Sequence, residues 1–137
     1  MKYLFIFLIS ALSFPFYGQT AEDFYQLGVK KNQLQDYEGA IQDYTKAIEL
    51  NSSYPVAYIY ISRGNSKSEL KDYYGAIEDY TKAIDINPKE AKAYYNRGLA
   101  KRSAKLLRDK KGACLDWSRA GELGDMDAYD LISRYCK

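Results

Sequence analysis

The 137-residue sequence contains no histidine, only two cysteines and only three prolines. Without histidine, the chain cannot form a serine–histidine or cysteine–histidine catalytic pair, a histidine metal site or a histidine proton shuttle. Neither sign of charge is in large excess, because 20 basic and 18 acidic residues leave a formal net charge of +2. Charge alone therefore gives no argument for a nucleic acid or an anionic membrane as the partner.

The residues that are present have the balance of one soluble globular domain, with 47% hydrophobic and 28% charged residues. The sequence shows no nucleotide-binding loop, no cluster of metal ligands and no activated nucleophile. We therefore expect a protein that is not an enzyme and that uses no cofactor and no metal ion.

The first 18 residues have the layout of a signal peptide. Lys2 precedes an apolar run of about a dozen residues, which stops at Pro15 and is followed by small or polar residues near Gly18. A membrane-spanning helix needs about 20 apolar residues, so an uncleaved anchor is the weaker alternative. We expect cleavage between about Gly18 and Ala21, and export of the mature chain to the periplasm or outside the cell, without a stable membrane anchor.

One pattern of residues recurs three times along the rest of the chain. Aligning Gly28, Gly64 and Gly98 brings the same aromatic, alanine and aromatic positions of the three copies into register. The matching residues are Phe24, Leu27, Ala40, Tyr44 and Ala47 in the first copy, Tyr60, Arg63, Ala76, Tyr80, Ala83 and Pro88 in the second, and Tyr94, Arg97, Ala113, Trp117 and Ala120 in the third. Self-similarity at a period of 34 to 36 residues is typical of a repeat protein.

The second half of each copy predicts an amphipathic helix. From Tyr37 onward, apolar and small residues fall at three- and four-residue steps, which places them on one helical face. Asp36, Asp72 and Asp109 each stand three residues before a glycine of this helix, where a carboxylate can accept hydrogen bonds from free amide groups. We therefore predict that these three aspartates are N-caps.

These residues resemble the tetratricopeptide repeat, a helix–turn–helix unit of 34 residues. The resemblance implies an all-α fold, a right-handed α-α superhelix of three helix pairs. The predicted pairs are residues 21–54, 57–90 and 91–124, and a capping helix follows over residues 125–137. Three extra residues after Gly98 predict a longer or distorted first helix in the third pair. Gly124 is predicted to end that pair with a positive φ.

The two cysteines lie on either side of Gly124. Cys114 is about ten residues before it and Cys136 about twelve after it, so two helices with a rise of 1.5 Å per residue bring them to the same level. In an exported chain we expect them to form a disulfide, and two buried free thiols are the alternative. Their spacing also looks similar to the last unit of small exported bacterial repeat proteins.

The resemblance implies a function in binding, because the first helices of successive pairs line a concave groove for a peptide or a partner helix. By repeat register, the candidate groove residues are Tyr25, Val29, Tyr58, Ile61, Asn65, Lys92, Tyr95, Leu99 and Arg102, with Glu22, Asn32 and Ser68 beside them. We expect a protein or peptide partner. The alternative is a structural subunit that uses convex or end-to-end contacts in a homo-oligomer or an envelope assembly.

Two narrower functions are disfavoured. One branch of the family binds the C-terminal carboxylate of heat-shock chaperones through lysines, asparagines and an arginine, and of the matching positions here only Lys92 agrees. Those positions are Tyr25, Val29, Ser62, Lys92 and Asn96. The basic segment 101–111 has no aromatic residue for base stacking, so a solvated helix end is favoured over a nucleic-acid site.

Overall fold

The computed structural model describes residues 20–50, 55–104 and 109–137. In these ranges the chain forms seven helices and no strand. The helices are α1 (Ala21–Gln33), α2 (Tyr37–Glu49), α3 (Val56–Glu69), α4 (Tyr73–Ile86), α5 (Ala91–Ser103), α6 (Lys110–Glu122) and α7 (Asp127–Tyr135). Each helix packs mainly on the helices before and after it in sequence. The predicted all-α solenoid of helix pairs is confirmed.

The predicted signal peptide at residues 1–18 lies outside the described residues. Among the helices that are described, none is both long enough and apolar enough to cross a membrane.

The second helix of each pair begins at a capping aspartate. The amide of Gly39 donates to Asp36 Oδ1 at 3.0 Å. The same bond joins Gly75 to Asp72 at 3.0 Å and Gly112 to Asp109 at 2.8 Å. The three predicted N-caps are confirmed, and each satisfies an amide that has no partner inside its own helix.

A large aromatic ring fills the centre of every pair and rests on a glycine of the first helix. Tyr44, Tyr80 and Trp117 are at most 2% exposed. A Cβ atom at the facing glycine would lie 2.6 Å from the Tyr44 ring, 2.7 Å from the Tyr80 ring and 2.5 Å from Trp117 Nε1. The facing residues are Gly28, Gly64 and Gly98. The repeated glycine is therefore required because only a hydrogen atom fits beneath each ring.

The third pair ends at Gly124, whose φ of 100° confirms the prediction for this residue. The Gly124 amide donates to the Gly121 carbonyl and the Asp125 amide to the Ala120 carbonyl, each at 3.0 Å, which closes the end of α6. Helix α7 then packs on α6, with Ala128 fully buried. In the structure a disulfide joins Cys114 to Cys136, with their Cα atoms 5.7 Å apart.

The first helix of the third pair is not longer than its counterparts. Helices α1 and α5 have 13 residues each, and α3 has 14. Of the two outcomes predicted from the extra residues, the longer helix is wrong. The chain leaves α5 at Ala104 in an extended conformation, so the extra residues follow the helix, in a segment that includes the undescribed residues 105–108.

Candidate peptide-binding groove

A cleft of about 560 Å³ opens along the first helices of the pairs. We call it the groove cleft. Its lining comes from α1, α3 and α5, with tyrosines from the second helices behind them. The lining residues are Asn32, Tyr37, Asn65, Ser68, Glu69, Tyr73, Tyr80, Asn96, Leu99, Ala100 and Ser103. The surface is therefore polar and aromatic, a combination that suits hydrogen bonding to a peptide main chain.

Hydrogen bonds between repeats hold the polar side chains of the groove cleft. Asn65 Oδ1 accepts from the Tyr80 hydroxyl at 2.7 Å and from Asn96 Nδ2 at 3.0 Å. One repeat earlier, Asn32 Nδ2 donates to Ser66 Oγ at 2.7 Å. Within the described part of the chain nothing accepts from Asn65 Nδ2, and Asn65 is exposed. Its two amide hydrogens are thus available to a carbonyl oxygen of a ligand.

The buried tyrosines behind the groove cleft stay neutral at ordinary pH. Burial raises the pKa of Tyr80 to about 12. Burial also raises the pKa of Tyr44 to about 12, and the neighbouring Tyr25 adds to the rise. Both hydroxyl groups therefore act as hydrogen-bonding groups and not as proton acceptors near neutral pH.

Of the nine predicted groove residues, Asn65 and Leu99 line the groove cleft. Asn32 and Ser68, which were predicted beside them, line it too. Tyr58 is 49% exposed and Lys92 is exposed, but both lie in the first turn of their helices, outside the groove cleft.

Four other predicted groove residues are buried or partly buried in the core. Tyr25 and Val29 are partly buried against the core around Tyr44, and the Tyr25 ring lies 5.7 Å from the Tyr44 ring. Tyr95 packs beside Trp117, whose Nε1 donates to the Tyr95 carbonyl at 3.3 Å. Ile61 is only 6% exposed in the central core, so its assignment as a contact for a partner is corrected.

Arg102 faces the capping helix and not the groove cleft. Its guanidinium carbon lies 3.7 Å from the centroid of the Tyr135 ring of α7. The prediction that Arg102 is a groove residue is therefore corrected, because its side chain packs on the capping helix.

A layer of ion pairs, which the sequence analysis missed, lies beneath the groove helices. Asp79, with a side chain only 4% exposed, accepts from Arg63 at 2.7 and 2.9 Å and pairs with Lys67 at 2.9 Å. Arg63 also donates to Thr45 Oγ1 of the preceding repeat at 2.9 Å. A charge this deeply buried must be paired and hydrogen-bonded, and both conditions are met.

The next repeat contains the same layer. Asp116 accepts from Arg97 at 2.7 and 3.0 Å and pairs with Lys101 at 2.8 Å. Arg97 donates in turn to Thr81 of the preceding repeat at 3.1 Å. Each of these aspartates accepts three bonds from two cations, so it holds the helices in position.

The first repeat has a reduced form of this layer. Leu27 stands where the later repeats have an arginine, and Asp43 pairs with Lys31 alone, at 2.8 Å. The hydrogen bond that Lys31 donates to the Asp43 carboxylate raises the pKa of Lys31. The signal for the layer was present in the sequence, since a lysine three residues after the glycine and an aspartate before the aromatic recur in all three copies. These lysines, Lys31, Lys67 and Lys101, are partners of the aspartates.

Fold and site together define an α-solenoid of helix pairs with a polar and aromatic cleft on its inner helices. Residues 21–54 match the family model described as "Tetratricopeptide repeat", and residues 64–101 match the model described as "TPR repeat". The chain belongs to the tetratricopeptide repeat family, a family of protein-interaction scaffolds. No curated protein matches the chain significantly.

Solved structures of this family are similar to the chain over most of its length. The Arabidopsis OM64 TPR domain has 30% identity and a TM-score of 0.77, with 85% of this chain and 93% of that chain covered. The first TPR of Spaghetti (RPAP3) bound to the HSP90 peptide SRMEEVD has 27% identity and a TM-score of 0.77, covering 86% and 91%. The second TPR domain of human RPAP3 with the HSP70 peptide SGPTIEEVD has 25% identity and a TM-score of 0.76, covering 85% and 95%.

Proposed function

We propose that the protein is an exported, non-catalytic adaptor or scaffold that holds an extended peptide or a partner helix in its groove cleft. The observation that carries the proposal is the open polar and aromatic cleft along α1, α3 and α5, with the Asn65 amide directed to no acceptor among the described residues. Peptide binding by the similar RPAP3 domains supports the same kind of function.

The ligand we propose is not a chaperone tail. Four of the five positions that would form the carboxylate clamp have no lysine, arginine or matching asparagine in this chain. They are occupied by Tyr25, Val29, Ser62 and Asn96, and only Lys92 agrees. A free carboxylate gains its binding energy from charge-assisted hydrogen bonds. We therefore propose an internal peptide segment, which is bound through its main chain by asparagine side chains and through its apolar side chains by tyrosines.

Export belongs to the same proposal. The layout of residues 1–18 supports it, and a disulfide between Cys114 and Cys136 is typical of a protein in an oxidising compartment. Expression of the full chain in a bacterial host with cell fractionation tests it by intact mass. A mature protein starting between residues 19 and 21, two hydrogen masses lighter than its reduced form, is expected in the periplasm. A full-length reduced chain in the cytoplasm would overturn the export proposal.

The groove is tested with a displayed library of 12-residue peptides, selected on the folded protein, followed by affinity measurement of single peptides. Tyr37→Ala combined with Asn96→Ala removes a ring and an amide that line the groove cleft, and we expect at least a tenfold loss of affinity. Tyr74→Ala is the matched control, because this tyrosine is 44% exposed on the second helix α4. It should change affinity less than twofold.

Two outcomes would contradict the groove proposal. Equal weakening by the control would move the binding surface to the outer helices. Failure to select any peptide, together with concentration-dependent sedimentation, would favour the structural subunit with convex or end-to-end contacts.

A further inference from the structure

A second pocket, of about 350 Å³, lies at the C-terminal end of the solenoid between α5, α6 and α7. We call it the end pocket. It shares no lining residue with the groove cleft. The residues that line it are Arg102, Lys110, Ala113, Trp117, Arg134 and Tyr135. We propose that the end pocket binds an organic anion, namely a carboxylate or phosphate group attached to an apolar body.

Arg102 is the residue that makes the pocket a site for an anion. Its guanidinium carbon lies over the Tyr135 ring, 3.7 Å from the centroid. A stacked guanidinium keeps its five N–H groups in its own plane, where they cannot be satisfied by the ring. Among the described residues no acceptor takes a hydrogen bond from Arg102 and no carboxylate pairs with it. An incoming carboxylate or phosphate would meet two donors in a fixed fork.

The other cations around the end pocket strengthen the same potential. Lys110 is the first residue of α6, where the helix dipole is already positive, and its Nζ is held 3.0 Å from the main-chain oxygen of Lys137. Arg134 pairs with Asp130 at 2.8 Å, and both side chains are exposed. The carboxylate of Asp109 is engaged by the Gly112 amide. Of the described residues that line the end pocket, Arg102, Lys110 and Arg134 are cations and none is an acid.

The walls of the end pocket are aromatic, which selects for an anion that has an apolar body. The Trp117 and Tyr135 rings lie 6.0 Å apart at an interplanar angle of 44°. Trp117 is 0% exposed and lies behind this wall, so the ring that a ligand could cover is the partly exposed ring of Tyr135. An aromatic or aliphatic body would cover it, whereas a bare inorganic anion would leave it in contact with water. The volume of about 350 Å³ fits one small molecule or one peptide terminus.

Trp117 is the only tryptophan of the chain, so its fluorescence and its indole N–H signal report directly on the end pocket. The test is a titration of the full disulfide-bonded protein with phenyl phosphate, with inorganic phosphate, and with a pentapeptide ending in phenylalanine and glutamate, all at constant ionic strength. We expect a saturable change of both signals, with phenyl phosphate binding at least tenfold more tightly than inorganic phosphate.

Arg102→Gln should weaken binding at least tenfold, because it removes the forked donor while the exposed position leaves the fold intact. Arg119→Gln is the matched control. It removes the same charge from the exposed face of α6, where Arg119 pairs with Glu122 at 2.9 Å, and should change affinity less than twofold. Tighter binding of phenyl phosphate than of the peptide assigns the site to a free organic anion, and the reverse order assigns it to a peptide terminus. No saturable change with any of the three probes, or equal weakening by both variants, overturns the proposal.

Discussion

The first repeat and the two later repeats use the same aspartate position in different ways. Asp79 and Asp116 are buried, and each is held by an arginine and a lysine, with the arginine also bonded to a threonine of the preceding repeat. Asp43 has Lys31 alone, and Leu27 replaces the arginine. The difference follows from residue 27, because a leucine there has no donor for Asp43.

The two ends of the solenoid are also completed by different means. At the first helix, Thr20 and Asp23 form a reciprocal capping box, which satisfies free amides locally. The Thr20 hydrogen bonds lower the pKa of Asp23. At the last pair, a whole extra helix covers Trp117 and is tied back by a disulfide. Among the described residues the last pair has a repeat neighbour on one side only, and α7 covers its other side.

In the comparison of the first repeat with the later ones, the largest effect on the free energy of unfolding is expected from the loss of a buried aspartate. We expect Asp79→Ala to lower the free energy of unfolding by about 3–5 kcal/mol, since Arg63 and Lys67 would be left with charges that are poorly solvated and unpaired. Asp43→Ala should cost about 1 kcal/mol or less, because Lys31 is 38% exposed and can turn to water. Urea unfolding followed by circular dichroism measures both, and similar losses would contradict the difference between the repeats.

The local features of the fold could be predicted from the sequence, but the ion-pair layer could not. The helix pairs, the three capping aspartates and the positive φ at Gly124 follow from local rules of spacing and capping, so they could be predicted. The ion-pair layer depends on side chains from three helices that meet only after the pairs have packed. The recurrence of lysine and aspartate indicates where the ion-pair layer lies. A helical wheel of α4 alone, however, places Asp79 beside exposed residues.

The site was harder to predict than the fold for a related reason. Repeat register assigns a residue to the inner helix, but it does not say how far the neighbouring pair covers it. Ile61 and Tyr95 have the register of groove residues, yet α4, α5 and the capping helix bury much of their surface. Arg102 was misplaced because the position of Tyr135 depends on how α7 returns after Gly124.

The second comparison, between the two ends, is tested by removing the disulfide. Its two cysteines are 22 residues apart in sequence, and the loop-closure entropy of such a loop predicts a loss of about 3 kcal/mol in the double variant Cys114→Ala, Cys136→Ala. The loss should be concentrated at the C-terminal end. Hydrogen exchange is expected to accelerate in α7 and to stay unchanged in α1 and α2, and uniform acceleration would show that the ends are not independent.

A smaller effect on stability is expected at alkaline pH, from ionisation of the buried Tyr80. Tyr80 has a pKa of about 12 in the folded protein, above the ordinary value of about 10 of the unfolded chain. Its contribution to stability is therefore complete below pH 10 and is lost as the pH rises towards 12, by about 1 kcal/mol at pH 11. Tyr80→Phe should remove this part of the pH dependence. The measurement is urea unfolding at pH 8 and pH 11, and an unchanged difference between the two pH values would contradict it.

The smallest effect comes from making the first repeat like the others. Leu27→Arg would place a guanidinium near Asp43, at a position where Leu27 is already 39% exposed. We expect a gain in the free energy of unfolding of at most about 1 kcal/mol, the range of a partly exposed pair. Leu27→Gln is the control for loss of the exposed leucine, and a cycle with Asp43→Ala isolates the pair. A gain as large as the loss expected for Asp79→Ala would mean that burial of the aspartate determines the strength of this contact. The hydrogen bond of the arginine to a threonine of a preceding repeat would then not be needed.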